Sequence, residues 1–127
     1  LMSKVGGPIM AEILIVDDDD VIRETLCELL STAYVCEAAE TAEQALAKLH
    51  AKRFDVVLTD ISLPGLTGLD LLEEVQSLYP KTPVIIISGV SDQDQAHRLL
   101  SLGAFDYLQK PFRLEVVEKS VERALMG

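Results

Sequence analysis

Asp60 stands at the end of an apolar run, Asp55-Val56-Val57-Leu58-Thr59, and is followed by Ile61-Ser62-Leu63-Pro64-Gly65. A buried strand would carry this carboxylate to its C-terminal end, and the Pro-Gly turn would keep it at the mouth of a sheet. Asp17 and Asp18 directly follow another apolar run, Ile13-Leu14-Ile15-Val16. Ser88 ends the run Val84-Ile85-Ile86-Ile87, and Lys110 follows the stretch Ala104 to Gln109. If these strands are parallel, their C-terminal ends share one edge, the edge where ligands and chemistry lie in open α/β sheets. Carboxylates crowded there repel one another unless a cation shares the site, and Lys110 alone does not balance Asp17, Asp18 and Asp60. Carboxylate oxygens with a backbone carbonyl suit Mg2+. A carboxylate can also attack phosphorus to give an aspartyl phosphate. Mg2+, the Lys110 ammonium, the Ser88 hydroxyl and nearby backbone N–H groups would then share the charge of the transferred group. The Ser88 hydroxyl can donate to a phosphoryl oxygen and move with it, which links chemistry to conformation.

Each residue also has a plainer reading. Asp19 and Asp20 read as helix-capping charge, whereas Asp17 and Asp18 come directly off a buried strand. A serine before glycine is common at strand ends, and Lys110-Pro111 alone is a weak signal. Tyr107, in an edge strand, reads as half-buried packing. The specific signal is that acid, acid, hydroxyl and ammonium fall after four different strands.

The elements that must position them alternate. Strands are expected over Ala11 to Val16, Tyr34 to Ala38, Phe54 to Asp60, Pro83 to Ser88 and Ala104 to Gln109. The continuous apolar runs mark strands buried on both faces, as in parallel sheets. A first helix runs to about Ala33 with Val21, Ile22, Leu26, Leu29 and Leu30 at helical spacing. Thr41 opens a second, with Ala42, Ala45, Leu46 and Leu49 on one face. The third spans Leu66 to Tyr79, with Leu69, Leu71, Leu72, Val75 and Leu78 as core contacts, and Pro80 stops it. Ser91 or Asp92 caps a fourth, which Gly103 ends near Leu102. The last runs from Arg113 to Met126, with Leu114, Val117, Val121 and Leu125 inward. Strands alternating with helices imply an α/β fold with a parallel sheet, helices on both faces and right-handed crossovers.

The 127 residues suit one domain. Residues 1–9 are expected to be an expression remnant or disordered start, and 10–127 the folded domain. The net charge of −10 argues against direct binding to nucleic acid or anionic membrane. No apolar run approaches the ~20 residues that span a bilayer. Cys27 and Cys36 lack zinc-type spacing and read as reduced, buried thiols of a cytoplasmic protein. His50 and His97 read as surface helix residues.

The chain resembles the receiver domains of two-component response regulators from Met10 to Met126. The resemblance rests on Ile13 to Asp19, on Asp60-Ile61-Ser62-Leu63-Pro64-Gly65-Leu66-Thr67-Gly68, on Ile87-Ser88-Gly89 and on Gly103 to Phe112. It implies a (βα)5 flavodoxin-like doubly wound sheet with strand order 2-1-3-4-5. It further implies that Asp60 is the phosphoacceptor, taking a phosphoryl group from a sensor histidine kinase or phosphotransfer protein. Asp18, Asp60 and the Ser62 carbonyl would hold Mg2+ directly, and Asp17 through a bound water. Ser88 and Tyr107 would be the switch pair, and Lys110 would hold the phosphoryl group, with Lys110–Pro111 cis. Asp20 stands where the family often has proline, Leu63 where it often has methionine, and Ser88 where threonine is frequent. Ser62 and Val90 occupy positions that tune dephosphorylation, and apolar Val90 would position no attacking water. The Gly103 to Phe112 stretch is similar to receivers that precede transcription-activating ATPase or DNA-binding domains. A homodimer through the fourth helix, fifth strand and fifth helix is an expected output, with Arg98, Arg113, Arg123 and Asp106 either pairing across it or solvated.

Three rivals fit less well. A haloacid-dehalogenase-type enzyme wants a second acid where Ser62 stands. A flavodoxin wants a Gly/Ser/Thr-rich phosphate loop where four aspartates stand. A receiver-fold interaction or dimerisation module that is never phosphorylated would not need Asp18, Asp60, Ser88 and Lys110 together, and phosphodonor reactivity separates it from a phosphoacceptor.

Overall fold

The computed structural model describes residues 10–89 and 93–127. Its elements follow in the order β1 (Glu12–Val16), α1 (Asp20–Leu30), β2 (Val35–Ala39), α2 (Ala42–Ala51), β3 (Val56–Asp60), α3 (Gly68–Leu78), β4 (Val84–Ser88), α4 (Gln93–Ser101), β5 (Asp106–Gln109) and α5 (Leu114–Met126). The five strands form one sheet in the order β2-β1-β3-β4-β5, and every pairing is parallel. This is the doubly wound flavodoxin-like topology that the resemblance implied, and the all-parallel pairing is what the alternation predicted.

The alternation of side chains along the central strands explains their continuous apolar character. Leu14, Val16, Val57, Val84 and Ile86 face a core completed by Ala42, Ala45 and Leu49 of α2, Leu71, Leu72 and Val75 of α3, and Leu99 of α4. Ile13, Ile15, Val56, Leu58, Ile85 and Ile87 face the opposite core, with Leu26 and Leu30 of α1 and Val117 and Val121 of α5. The three central strands must be apolar on both faces because helices cover both.

Local chemistry sets the helix starts. The Asp19 side chain caps α1, accepting from the N–H groups of Val21 and Ile22. Thr41 caps α2, and Thr67 with Asp70 forms a reciprocal capping box on α3. The box, not Leu66, sets where α3 begins.

Three apolar positions expected in the core are exposed instead: Val21 (67%), Leu78 (48%) and Leu114 (42%). Val21 and Leu114 lie in the first turns of α1 and α5 and Leu78 ends α3, so each sits where its helix reaches the edge of the sheet. Cys27 and Cys36 are free thiols and half-buried rather than buried, and desolvation raises both pKa values. His50 and His97 are exposed as expected, but the His50 Nδ1 and Tyr79 Oη lie 2.7 Å apart and tie α2 to the end of α3. The expected cap at Ser91 or Asp92, the Val90 position and the start at residues 1–9 lie outside the described residues.

Candidate functional site

The C-terminal ends of the parallel strands gather the charged side chains on one edge. Asp60 closes β3 and is 6% exposed, and Asp17, one residue beyond β1, is 1% exposed. Asp18 beside it is exposed. One carboxylate oxygen from each of Asp17, Asp18 and Asp60 lies within 4.8 Å of the others, close enough to share a cation.

Lys110 crosses from the end of β5 into this group. Its Nζ donates to Asp60 Oδ2 at 2.9 Å and to Asp17 Oδ2 at 3.1 Å. The other carboxylate oxygens take backbone donors: Asp17 Oδ1 accepts from Asp19 N–H at 2.9 Å, and Asp60 Oδ1 from Ser62 N–H at 3.0 Å. Burial opposes the Lys110 charge, yet its bonds to Asp60 and Asp17 outweigh burial and hold its pKa above the ordinary value. Asp17 is pushed the same way for a different reason. Desolvation raises its pKa, the Asp60 charge adds to the rise, and the Asp19 N–H and Lys110 only partly offset them.

Backbone bonds fix the edge itself. Lys110 N–H donates to the Ser88 carbonyl at 2.7 Å, and the Lys110–Pro111 bond is cis, as the resemblance implied. Ile61 N–H donates to the Ile87 carbonyl at 3.0 Å, which holds the residue after Asp60 against β4. Ser88 is fully buried at the end of β4, opposite Gln109 in the parallel register. Tyr107 pairs with Ile86, so it lies on the same sheet face as Ser88, one diagonal step away. The Tyr107 side chain is half-buried against the core of α2, α3 and α4.

The structure thus brings Asp17, Asp18, Asp60, Ser62, Ser88 and Lys110 to one edge, with Tyr107 on the adjoining face. It does not leave Asp106 and Arg123 as unassigned surface charges. Asp106 Oδ2 accepts from Ser120 Oγ and Arg123 Nη2, both at 2.6 Å, within one chain.

Sequence reasoning assigned no role to two contributors. Gly68, at the start of α3, is the first: a Cβ there would lie 2.3 Å from the Asp60 carbonyl oxygen, so glycine lets α3 press against the end of β3. Arg23 is the second, and its Nη1 donates to the Asp17 carbonyl at 2.7 Å. Its signal was an arginine in the first turn of a helix, where the dipole disfavours a cation.

A family profile described as the response regulator receiver domain matches residues 13–122. The DNA-binding transcriptional regulator NtrC of Salmonella typhimurium is 43% identical over 112 residues, which are 87% of this chain and 24% of that protein. The chain spans about a quarter of the length of the curated relatives it matches. Among solved structures, the receiver domain of NtrX from Brucella abortus is 36% identical with a TM-score of 0.85, covering 90% of this chain and 98% of that one. The chemotaxis response regulator CheY4 of Vibrio cholerae is 32% identical, also at 0.85, covering 92% of this chain and all (100%) of its own.

Proposed function

Because the chain belongs to the response regulator receiver family, we propose that Asp60 is its phosphoacceptor and that residues 10–127 act as one receiver unit. The observation that carries this reading is the Lys110 ammonium held between Asp60 and Asp17, at the one edge where three carboxylates converge. A donor phosphohistidine on a sensor kinase or phosphotransfer protein supplies the phosphoryl group. An Asp60 carboxylate oxygen forms the new O–P bond as the donor P–N bond breaks, and the released imidazole takes a proton from solvent. Lys110 moves from neutralising Asp60 to pairing with the incoming phosphoryl oxygens. Ser88 supplies a hydroxyl to the same group, and the vacated space on its sheet face admits Tyr107.

The hard oxygen donors of Asp17, Asp18 and Asp60 fit Mg2+, and the Ser62 carbonyl would complete the protein ligands. When bound, Mg2+ supplies positive charge for the transferring phosphoryl group. The role is that of a signalling domain which promotes only its own phosphorylation and dephosphorylation. Similarity to NtrC suggests control of transcription as the output, exerted from the cytoplasm. With a net charge of −10, this domain itself is expected to leave DNA unbound. Among the described residues, no helix is long and apolar enough to cross a membrane.

The test is incubation with acetyl phosphate or beryllofluoride, with and without Mg2+, beside Asp60→Ala. A mass gain or conformational shift that needs both Mg2+ and Asp60 is expected. A folded wild-type domain that stays unmodified by these donors and by a phosphorylated histidine donor would favour the unphosphorylated interaction module.

A further inference from the structure

Arg23 occupies the first turn of α1, against the helix dipole, so its charge needs other compensation. Its side chain is only 13% exposed. Nη1 donates to the Asp17 carbonyl at 2.7 Å, while Nη2 pairs with Asp20 and lies 3.6 Å from Glu40 Oε1. One planar guanidinium therefore joins the loop after β1 to the loop after β2. A surface pair with Asp20 alone would contribute little. The bond to the Asp17 carbonyl has a different consequence, because that oxygen belongs to the rigid peptide plane linking Asp17 to Asp18. Pinning it sets the direction in which the chain leaves Asp17 and where the Asp18 Cα, and hence its carboxylate, can sit.

Asp17 has its own supports in the Asp19 N–H and Lys110. Asp18 has none of that kind: among the described residues no side-chain hydrogen bond or ion pair holds its carboxylate, which is exposed. Its placement toward Asp17 and Asp60 depends on the backbone, which Arg23 holds at the Asp17 carbonyl while the Asp17 side chain holds the Asp19 N–H beyond it. We propose that Arg23 is a positioning residue for the cation site, holding the Asp17–Asp18 peptide so that Asp18 completes the trio of carboxylates. This rests on the reading of Asp17, Asp18 and Asp60 as a Mg2+ site.

Simple electrostatics gives the opposite sign. Removing a cation beside three carboxylates raises the local negative potential and should tighten Mg2+ binding. Positioning predicts weaker binding. Calorimetric titration of metal-stripped protein with MgCl2 separates the two, using wild type, Arg23→Ala, Arg23→Lys and the charge-matched control Arg53→Ala. Arg53 is 88% exposed and lies just before β3, at the far end of the sheet. Arg23→Ala is expected to bind Mg2+ about tenfold more weakly, the scale of losing a group that orients a metal ligand. Arg23→Lys should fall between, since one ammonium cannot reproduce the fork, and Arg53→Ala should match wild type. The rate of acetyl phosphate modification should recover near wild-type levels at saturating Mg2+, shifting the metal requirement and not the limiting rate.

Wild-type-like or tighter binding by folded Arg23→Ala would overturn the proposal, as would equal weakening in Arg53→Ala. If Arg23→Ala does not fold, Arg23→Lys carries the test, and unchanged affinity there overturns it. A wild-type protein that binds no Mg2+ overturns the metal reading and this inference with it. Binding by wild type that Arg23→Ala retains overturns this inference alone.

Discussion

Asp17 is a buried carboxylate whose ionisation the fold opposes. Its side chain is 2% exposed, and desolvation with the Asp60 charge raises its pKa from the ordinary 3.8. A raised carboxyl pKa means that the folded state binds protons better than the unfolded one. The associated stability is fully present below the unfolded value and is lost as pH rises through the raised folded value. At neutral pH the ionised Asp17 therefore destabilises the metal-free domain. Asp17→Asn is expected to raise metal-free stability at pH 7, because it removes the ionised carboxylate that burial disfavours. The advantage should shrink as pH falls through this window. Urea midpoints of both proteins in EDTA, taken across that range, check the sign; a lower midpoint for the variant at pH 7 would refute it. Mg2+ should reverse the order, because it binds the folded wild type, which keeps all three carboxylates, more tightly than the variant and so stabilises it more. That Asp17, Asp18, Asp60, Ser88 and Lys110 share one edge was legible because each ends a strand or comes just after one. Arg23 was not, since its role depends on two loops meeting across a strand pairing that no local pattern announces.

At the scale of elements, glycine shows how closely α3 is fitted to the site. Gly68 N–H donates to the Ile61 carbonyl at 2.9 Å, and a Cβ on Gly68 would meet the Asp60 carbonyl oxygen at 2.3 Å and Ile61 Cα at 2.6 Å. Both are backbone atoms and cannot swing aside. Gly68→Ala is expected to cost about 1–3 kcal/mol as α3 is forced off the end of β3, and to slow modification at Asp60 by displacing that strand end. Gly89→Ala is the matched comparison, since its Cβ would meet nothing within 4 Å. Its unfolding free energy should stay within about 0.5 kcal/mol of wild type. Denaturant unfolding of the two variants side by side reads the contrast directly. Thr67→Ala should cost about 1 kcal/mol by removing the capping box. Caps at Asp19, Thr41 and Thr67 are written in local residue types. The exposed Val21, Leu78 and Leu114 were misread because helical spacing marks a stripe without showing how far the sheet beneath it extends.

For the whole molecule, the alternation of doubly apolar strands with amphipathic helices made the topology readable, because parallel strands joined by right-handed crossovers leave few arrangements. The use of the surface was less readable. Leu100, Leu102, Phe105 and Val116 are 41%, 40%, 38% and 43% exposed, on α4, the turn after it and α5. Exposed apolar side chains of this kind favour self-association when the face is reorganised. Asp106, expected either to pair across such a contact or to be solvated, already accepts the Ser120 hydroxyl and the Arg123 guanidinium at 2.6 Å each within its own chain. Apolar contact, and not an Asp106–Arg123 exchange, should therefore drive a dimer. With Mg2+ and beryllofluoride, light scattering is expected to show the mass rising from monomer toward dimer. Phe105→Asp should abolish that rise while leaving modification at Asp60 intact. Asp106→Asn should lower the unfolding midpoint, because it weakens the tie between β5 and α5, yet keep the rise in mass. If Asp106→Asn instead left the midpoint unchanged and abolished the dimer, Asp106 would belong to the interface and the tie within the chain would be the arrangement that activation breaks.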